Sequence, residues 1–551
     1  MLLVALGTCV GVLGLLRDVT GRRGGDREEK PGRERPPRRV VGPRAGEPWS
    51  RRPMPPSEIP VPPAGETEKQ PRKKPKRERD AIPGEYVLSF RSRGDRDAFV
   101  ELAEDKGCKV IQLTDFGNAV RLRAGTRETF DKLLDEGPEP SEWSSNYFVR
   151  YPDLQPRDPL EPQTGYTPFG DLALRSLGVT GDNGAWGQGV TVAVLDTGIG
   201  EHSSLDERAV FQVDLLNPGG EGVGESGHGT AVASLIAGAN EDITGVSPSA
   251  KLLSYRVLGD DGVGDTFTLA QGIVDAVDRG ADVINMCLGT YGDSHILKDA
   301  IDYAIEAGVV LVGAAGNDAV EGVVYPAKYE GVIAVAAVDG VQRHLYFSNR
   351  GEEVDLAAPG MAVNAAGPED GTILFSGTSA AVPFVSGTVA WLLSENPDMK
   401  AEDVTALLRA YADDAGAPGT DDKYGEGVLN IERIANRNVE GIYNAAVGSP
   451  YLVTAADPPK LVLFVQNRGT EVLPAIDLKV EMDGIPSVVS FYNVGVGETA
   501  TTEYALDTGR LAAGNTIEVT CSAVLDGVED AYPTDNTRKT RLFCPAETGK
   551  K

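Results

Sequence analysis

Three side chains in this sequence have the types and settings to break and remake acyl bonds: Asp196, His228 and Ser379. Acyl transfer needs a hydroxyl as nucleophile, an imidazole to take its proton and a carboxylate to orient that imidazole. Asp196 closes the apolar run Val192-Ala-Val-Leu195, and Thr197-Gly198 after it allows a tight exit that leaves the carboxylate at a sheet edge. His228 stands between Gly227 and Gly229 and begins the helical stretch Thr230 to Ala237, so a second chain segment can approach its ring. Ser379 lies in Ser376-Gly-Thr-Ser-Ala-Ala-Val-Pro383, ahead of an apolar helical run to Leu393. At such a helix start its backbone N–H would aim at a developing oxyanion. Each group also has an ordinary reading: a turn-forming Asp, a Ser that caps a helix, an Asn317 that merely turns the chain after Val312-Gly-Ala-Ala-Gly316. Of the four histidines, His202, His295 and His344 lack the paired glycines and read as satisfied surface residues.

The order Asp, His, Ser is one of three unrelated orders in which this constellation occurs. Together with the flanking residues it resembles the subtilase (subtilisin-like serine protease) family. The resemblance implies a serine endopeptidase in which Asn317 and the Ser379 amide hold the oxyanion. Ala380, Phe384 and Ala231 replace a Met and two His of the family pattern, none of which performs chemistry. It also implies a substrate cleft. Cys287-Leu288-Gly289-Thr290 would form one wall, Ala314-Ala315-Gly316 would lie beside it, and Gly262-Val263-Gly264 would offer the opposite edge for an added antiparallel strand. Val324 would floor the pocket for the residue before the scissile bond, shortening it in favour of small or medium apolar side chains. Asp318 reads either as a group at the pocket mouth or as a solvated carboxylate. No cofactor is implied for catalysis and no metal ligands are assigned. Structural calcium is a family feature; here the loop Ala239–Gly245 is short for it, and the acidic run Gly259–Asp265 is the other acidic candidate, though it reads more readily as a solvated loop.

These groups must be positioned by a scaffold. From about residue 165 to 437, apolar strands (Val190–Leu195, Lys251–Val257, Val283–Met286, Val309–Ala314, Val332–Val338) alternate with helical stretches. That alternation predicts an α/β fold, a mostly parallel doubly wound sheet with active residues at its carboxyl edge. Before it, residues 81–151 read as a βαββαβ unit of ferredoxin-like α+β type, with a helix from Arg127 capped by Thr126. By resemblance this is the inhibitory pro-domain, an intramolecular inhibitor and folding aid. The Pro-rich stretch 152–165 reads as an exposed, cleavable junction. Residues 440–545 carry short alternating strands and turn pairs, predicting an antiparallel, immunoglobulin-like β-sandwich with a surface or polymer ligand as its expected partner.

Residues 17–80 hold 19 Lys and Arg against 11 Asp and Glu, leaving 34 against 71 from residue 81 onward. So acidic a remainder disfavours nucleic acid as a partner. The basic, Pro-rich segment 17–80 reads as a disordered linker. The uncharged run 2–16 reads as a signal-peptide core or a short membrane anchor, and with the resemblance predicts a bacterial protein that is secreted or tethered at the cell surface. Five cysteines are too few for a disulfide scaffold; Cys521 and Cys544 are equally readable as a pair or as two free thiols. The expected partners are protein or peptide substrates. Two rival readings use the same residues: an acyl-transferring transpeptidase or macrocyclase, and a surface adhesion protein with a secondary protease.

Overall fold

The computed structural model describes residues 57–60, 80–152, 165–179, 181–205, 210–217, 227–454, 456, 458–506 and 516–543. The apolar leader, nearly all of the segment 17–80, the junction after Pro152 and Cys544 lie outside them. Among the described residues no helix is long and apolar enough to cross a membrane.

Seven strands, all parallel, form the central sheet in the order Leu356–Pro359, Val332–Val338, Val310–Ala314, Val283–Met286, Thr191–Asp196, Lys251–Arg256, Val210–Asp214. Successive residues of a strand point to opposite faces, so a strand covered on both sides must be apolar throughout. Val192 and Val194 pack with the helices His228–Ala237 and Thr378–Glu395 on one face. Ala193 and Leu195 pack with Thr266–Asp278 and His295–Glu306 on the other. This is the doubly wound α/β arrangement the alternation predicts. Short strands Val210–Asp214 and Leu356–Pro359 complete its edges, too brief or too alanine-rich to stand out in the sequence.

Helix Thr378–Glu395 is buried from Thr378 through Leu393 and apolar all round, as a helix central to a core should be. Pro383 inside it cannot donate to the carbonyl of Ser379, one turn earlier. That carbonyl accepts the Cys287 thiol instead, at 3.4 Å. Asn285 donates to Cys287 Sγ (3.3 Å) and accepts from Ser386 Oγ (2.9 Å), so a chain of buried polar groups ties the helix to the strand Val283–Met286. Burial pushes the Cys287 thiol well up, which keeps it protonated and able to donate.

Residues 81–150 form a four-stranded antiparallel sheet, ordered Lys109–Thr114, Ala119–Arg123, Ala81–Ser89, Glu142–Arg150, with helices Arg93–Asp105 and Arg127–Glu136 over one face. Thr126 caps the second helix, accepting from the Thr129 amide at 3.1 Å. This unit docks on the helices Thr266–Asp278 and His295–Glu306. Asn146 Oδ1 accepts from Thr266 Oγ1 (2.9 Å) and the Phe267 amide (3.3 Å), while Arg121 pairs with Asp265 at 2.9 Å. Buried Glu85 joins Arg121, Arg123 and Asn146; burial alone would raise its carboxyl, but these donors hold it below its ordinary value.

The C-terminal strands build two packed antiparallel sheets around one apolar core. One holds Ala445–Val447, Lys460–Asn467, Tyr451–Val453 and Thr499–Ala505; the other runs Thr537–Phe543, Thr516–Leu525, Leu473–Met482, Ile485–Val494. Cys521 is a free thiol in that core, and burial pushes it up to about 12. The sandwich meets the catalytic region through buried polar contacts: Arg468 with Asp413 (3.1 Å), Thr499 Oγ1 to Asp414 (2.6 Å) and the Asp414 amide to Gln466 (3.0 Å). One expectation is corrected. Within the segment read as a linker, Ser57–Pro60 is a strand, paired in parallel with Thr540–Phe543.

Candidate active site

Asp196 ends its strand fully buried, where Oδ1 accepts the Thr197 amide at 2.7 Å. The carboxylate faces His228 Nδ1, at 2.8 Å from Oδ1 and 3.0 Å from Oδ2. His228 is the first residue of its helix, and glycine must follow it: a Cβ at Gly229 would overlap the Gly198 carbonyl oxygen. Ser379 is the second residue of helix Thr378–Glu395 and sits buried, its Oγ without a hydrogen-bond partner among the described residues.

Asn317 follows the strand Val310–Ala314 and is also buried. Its Oδ1 accepts both the Thr378 amide and Thr378 Oγ1 at 3.0 Å, which turns its Nδ2 toward the cleft. Gly377 makes room for this: its φ is +125°, and a Cβ there would stand 2.9 Å from Asn317 Nδ2. The four groups come from the carboxyl ends of two strands and the starts of two helices, where such a sheet presents side chains.

The cleft is occupied by the chain itself. Strand Glu142–Arg150 leaves its own sheet and pairs antiparallel with Val263–Asp265, in register Phe148 with Asp265, Val149 with Gly264 and Arg150 with Val263. Arg150 exchanges both backbone bonds with Gly289 (3.0 and 2.8 Å), and the Tyr151 amide donates to the Gly262 carbonyl at 3.3 Å. Val149 is fully buried in the apolar cluster that includes Leu258 and Leu288. The Tyr151 ring stacks on His228, with centroids 4.5 Å apart and planes 13° apart, and Phe375 meets the imidazole edge-on. The next carbonyl, that of Pro152, accepts from Asn317 Nδ2 at 2.7 Å. The Pro152 carbonyl is thus the last group of the docked segment among the described residues, and it is held by Asn317.

The wall residues divide. Gly262, Val263, Gly264 and Gly289 touch the bound segment through main chain, and Leu288 joins it through the apolar cluster. Val324 lies between the two walls: a Cβ at Gly289 would overlap its Cγ2, and one at Gly316 would come within 3.2 Å of its Cγ1. Ala314 and Ala315 are buried in the core behind, and the Ala315 carbonyl accepts the Val324 amide at 3.2 Å. Cys287 does not line the wall as expected; its thiol turns under Ser379 because that carbonyl needs a donor. Asp318 is exposed and accepts from Tyr291 Oη at 2.6 Å.

His202 and His295 are buried rather than at the surface. His202 lies between Ser204 Oγ and the Gly371 carbonyl. His295 bridges the N-terminal unit, with Ser89 Oγ and Ser144 Oγ each 3.0 Å from one ring nitrogen. Burial lowers it to about 4. Tyr151, Pro152 and Phe375 carry no signal of their own in the sequence; only the antiparallel pairing reveals them.

In the candidate calcium segments several side-chain oxygens are already taken by protein donors. Asn240 Oδ1 is taken by the Ile243 amide, Asp261 by the Val263 amide, Asp260 by Arg256 and Asp265 by Thr268 and Arg121. Among the described residues no three His, Cys, Asp or Glu side chains gather as a metal site.

Residues 187–427 match the model of the subtilase family. The chain is 39% identical over 254 residues to a thermostable alkaline protease of Halalkalibacterium halodurans, covering 46% of this chain and 69% of that protein. It is 38% identical over 272 residues to a subtilisin of Bacillus pumilus, covering 48% and 94% respectively, and 37% identical over 253 residues to subtilisin BL of Lederbergia lenta, covering 46% and 92%.

Proposed function

The chain belongs to the subtilase family and is a serine endopeptidase of protein or peptide substrates, and from that premise we propose that it is an exported precursor that cuts itself after Pro152. In this reading Ser379 Oγ attacks the carbonyl carbon while His228 takes its proton. Asp196 holds the imidazole by Nδ1 and stabilises its charged form. Asn317 Nδ2 and the Ser379 amide receive the negative charge that builds on the carbonyl oxygen. His228 then protonates the departing nitrogen of Asp153, and water resolves the acyl-enzyme by the same steps.

The single observation that carries the reading is the 2.7 Å bond from Asn317 Nδ2 to the Pro152 carbonyl. A side chain in place to hold an oxyanion already holds the carbonyl of the chain's own segment. Residues 81–151 then act as the intramolecular inhibitor, because after the cut their last strand still fills the cleft. Val324 leaves a shallow pocket, which suits the compact ring of Pro152 and predicts a preference for small side chains before the bond. Recognition through Val263–Asp265 and Gly289 is by main chain, so the remaining positions read substrate loosely.

The test is intact-mass analysis of the purified precursor beside its Ser379→Ala variant. The unmodified chain should separate between Pro152 and Asp153 while the variant stays whole. If both remain whole, or both are cut alike, self-processing is wrong.

A further inference from the structure

The C-terminal sandwich ends on Thr537–Phe543, which would be an open edge of its sheet were it not paired with Ser57–Pro60. An unpaired edge is a template for any extended segment, and here the occupant is a piece of the same chain from upstream of the inhibitory unit. The register runs Ser57 with Thr540, Glu58 with Arg541, Ile59 with Leu542 and Pro60 with Phe543. Lys539 and Arg541 are exposed on this edge of an otherwise acidic chain, and the one charged residue of the added strand is the acidic Glu58. The sandwich is itself fixed to the catalytic region through Arg468–Asp413 and Thr499–Asp414. The edge therefore stands at a set position relative to the cleft.

We propose that Ser57–Pro60 is a second anchor of the inhibitory segment, so that the pro-region is clamped at two separate places, the catalytic cleft and the edge of the sandwich. The proposal rests on the self-processing reading above. Nineteen residues, 61–79, join this strand to Asp80, and at about 3.3–3.6 Å each they reach up to ~65 Å. After the bond at Pro152 is cut, the two contacts remain joined through one chain. Loss of the cleft contact alone does not free the inhibitor, because the strand keeps it at roughly millimolar effective concentration. A strand whose intrinsic dissociation constant is about 0.1–0.5 mM would then slow escape by about three- to tenfold. The sandwich thereby sets how long the cut enzyme stays latent.

The experiment compares three forms: the unmodified chain, a chain lacking residues 1–62, and full-length Ile59→Pro, which removes an amide donor from the strand. In Ser379→Ala precursors, amide hydrogen exchange of Thr540–Phe543 is followed by mass spectrometry. Protection should fall about three- to tenfold in both altered forms, and equal protection in all three overturns the anchor. In active chains, intact mass times the cut and a short chromogenic peptide times the appearance of activity. All three should be cut at the same bond, the altered forms becoming active about three- to tenfold sooner afterwards. An identical lag overturns the clamp. Chains that are never cut refute self-processing instead, and the exchange measurement then decides the anchor alone.

Discussion

His295 should make the docking of the unit of residues 81–150 depend on pH. Its ring is the first residue of helix His295–Glu306 and is buried against Ser89 and Ser144 of the docked unit. Both burial and the positive end of the helix disfavour its charged form. Docked, it titrates at about 4; undocked and hydrated it returns to about 6.5. The undocked state thus binds more protons, so docking is at full strength above pH 6.5 and weakens as pH falls toward 4. Between pH 7.5 and 5 the undocking constant should rise about 30-fold, or ~2 kcal/mol. Two carboxyl groups of the interface bear on the slope as well. Asp299 is raised first by burial and then by Glu142 and Asp302, so its protonation relieves a repulsion and opposes release. Glu85 is held low by Asn146 and Arg121 despite its burial, and stays charged through this window. The assay is amide exchange of Glu142–Arg150 in the Ser379→Ala precursor at pH 7.5, 6 and 5, normalised for intrinsic rates, beside the same precursor carrying His295→Gln. Glutamine offers a donor and an acceptor but cannot titrate. A 30-fold rise in the histidine form against less than about threefold in the glutamine form is expected; equal slopes would refute the reasoning.

Asn317→Ala should lower kcat by about 10²–10³ with little change in KM, measured on a peptide substrate, since its donor acts on charge that appears in the transition state. Val324→Gly should open the pocket floor and raise kcat/KM for a large apolar residue before the bond relative to alanine by about tenfold or more, read from paired peptides. Cys287→Ala should leave the Ser379 carbonyl and the Asn285 amide without partners and cost about 1–3 kcal/mol in denaturant unfolding, whereas Cys287→Ser should recover most of it. Gly229→Ala should abolish activity and destabilise the fold by about 2 kcal/mol or more, because its methyl overlaps the Gly198 carbonyl oxygen.

The chemistry was more legible than its surroundings. Strands Val283–Met286 and Val332–Val338 coincide with the apolar runs that announce them, because a strand buried on both faces must be written in Val, Ile and Ala. Lys109–Thr114, Ala119–Arg123 and the Thr126-capped helix are equally local signals. What escaped depends on partners far along the chain. His295 looks like any exposed histidine until the sheet of residues 81–150 is laid over it. Cys287 follows a strand and reads as cleft wall; only the proline inside a distant helix explains why the thiol turns inward. Ser57–Pro60 holds four residues without apolar alternation, and its pairing is set entirely by an edge 483 positions later. Pro152 reads as the start of an exposed junction, yet its carbonyl is held in the cleft.

The buried polar seam between the sandwich and the catalytic region bears on how the molecule melts. Asp413 and Asp414 are buried, and Arg468, Gln466 and Thr499 reach them from the sandwich. Asp413 keeps Arg433 and Asn430 on its own side and Asp414 keeps the Gly419 amide, but separating the two strips Arg468 from Asp413 and Thr499 from Asp414 at once. Such a seam couples the parts into one cooperative unit, and calorimetry should record their loss together rather than as two steps. A chain truncated before residue 440 is therefore not a smaller version of the same protease but one with an opened flank, and its melting temperature should fall even where its cleft is untouched.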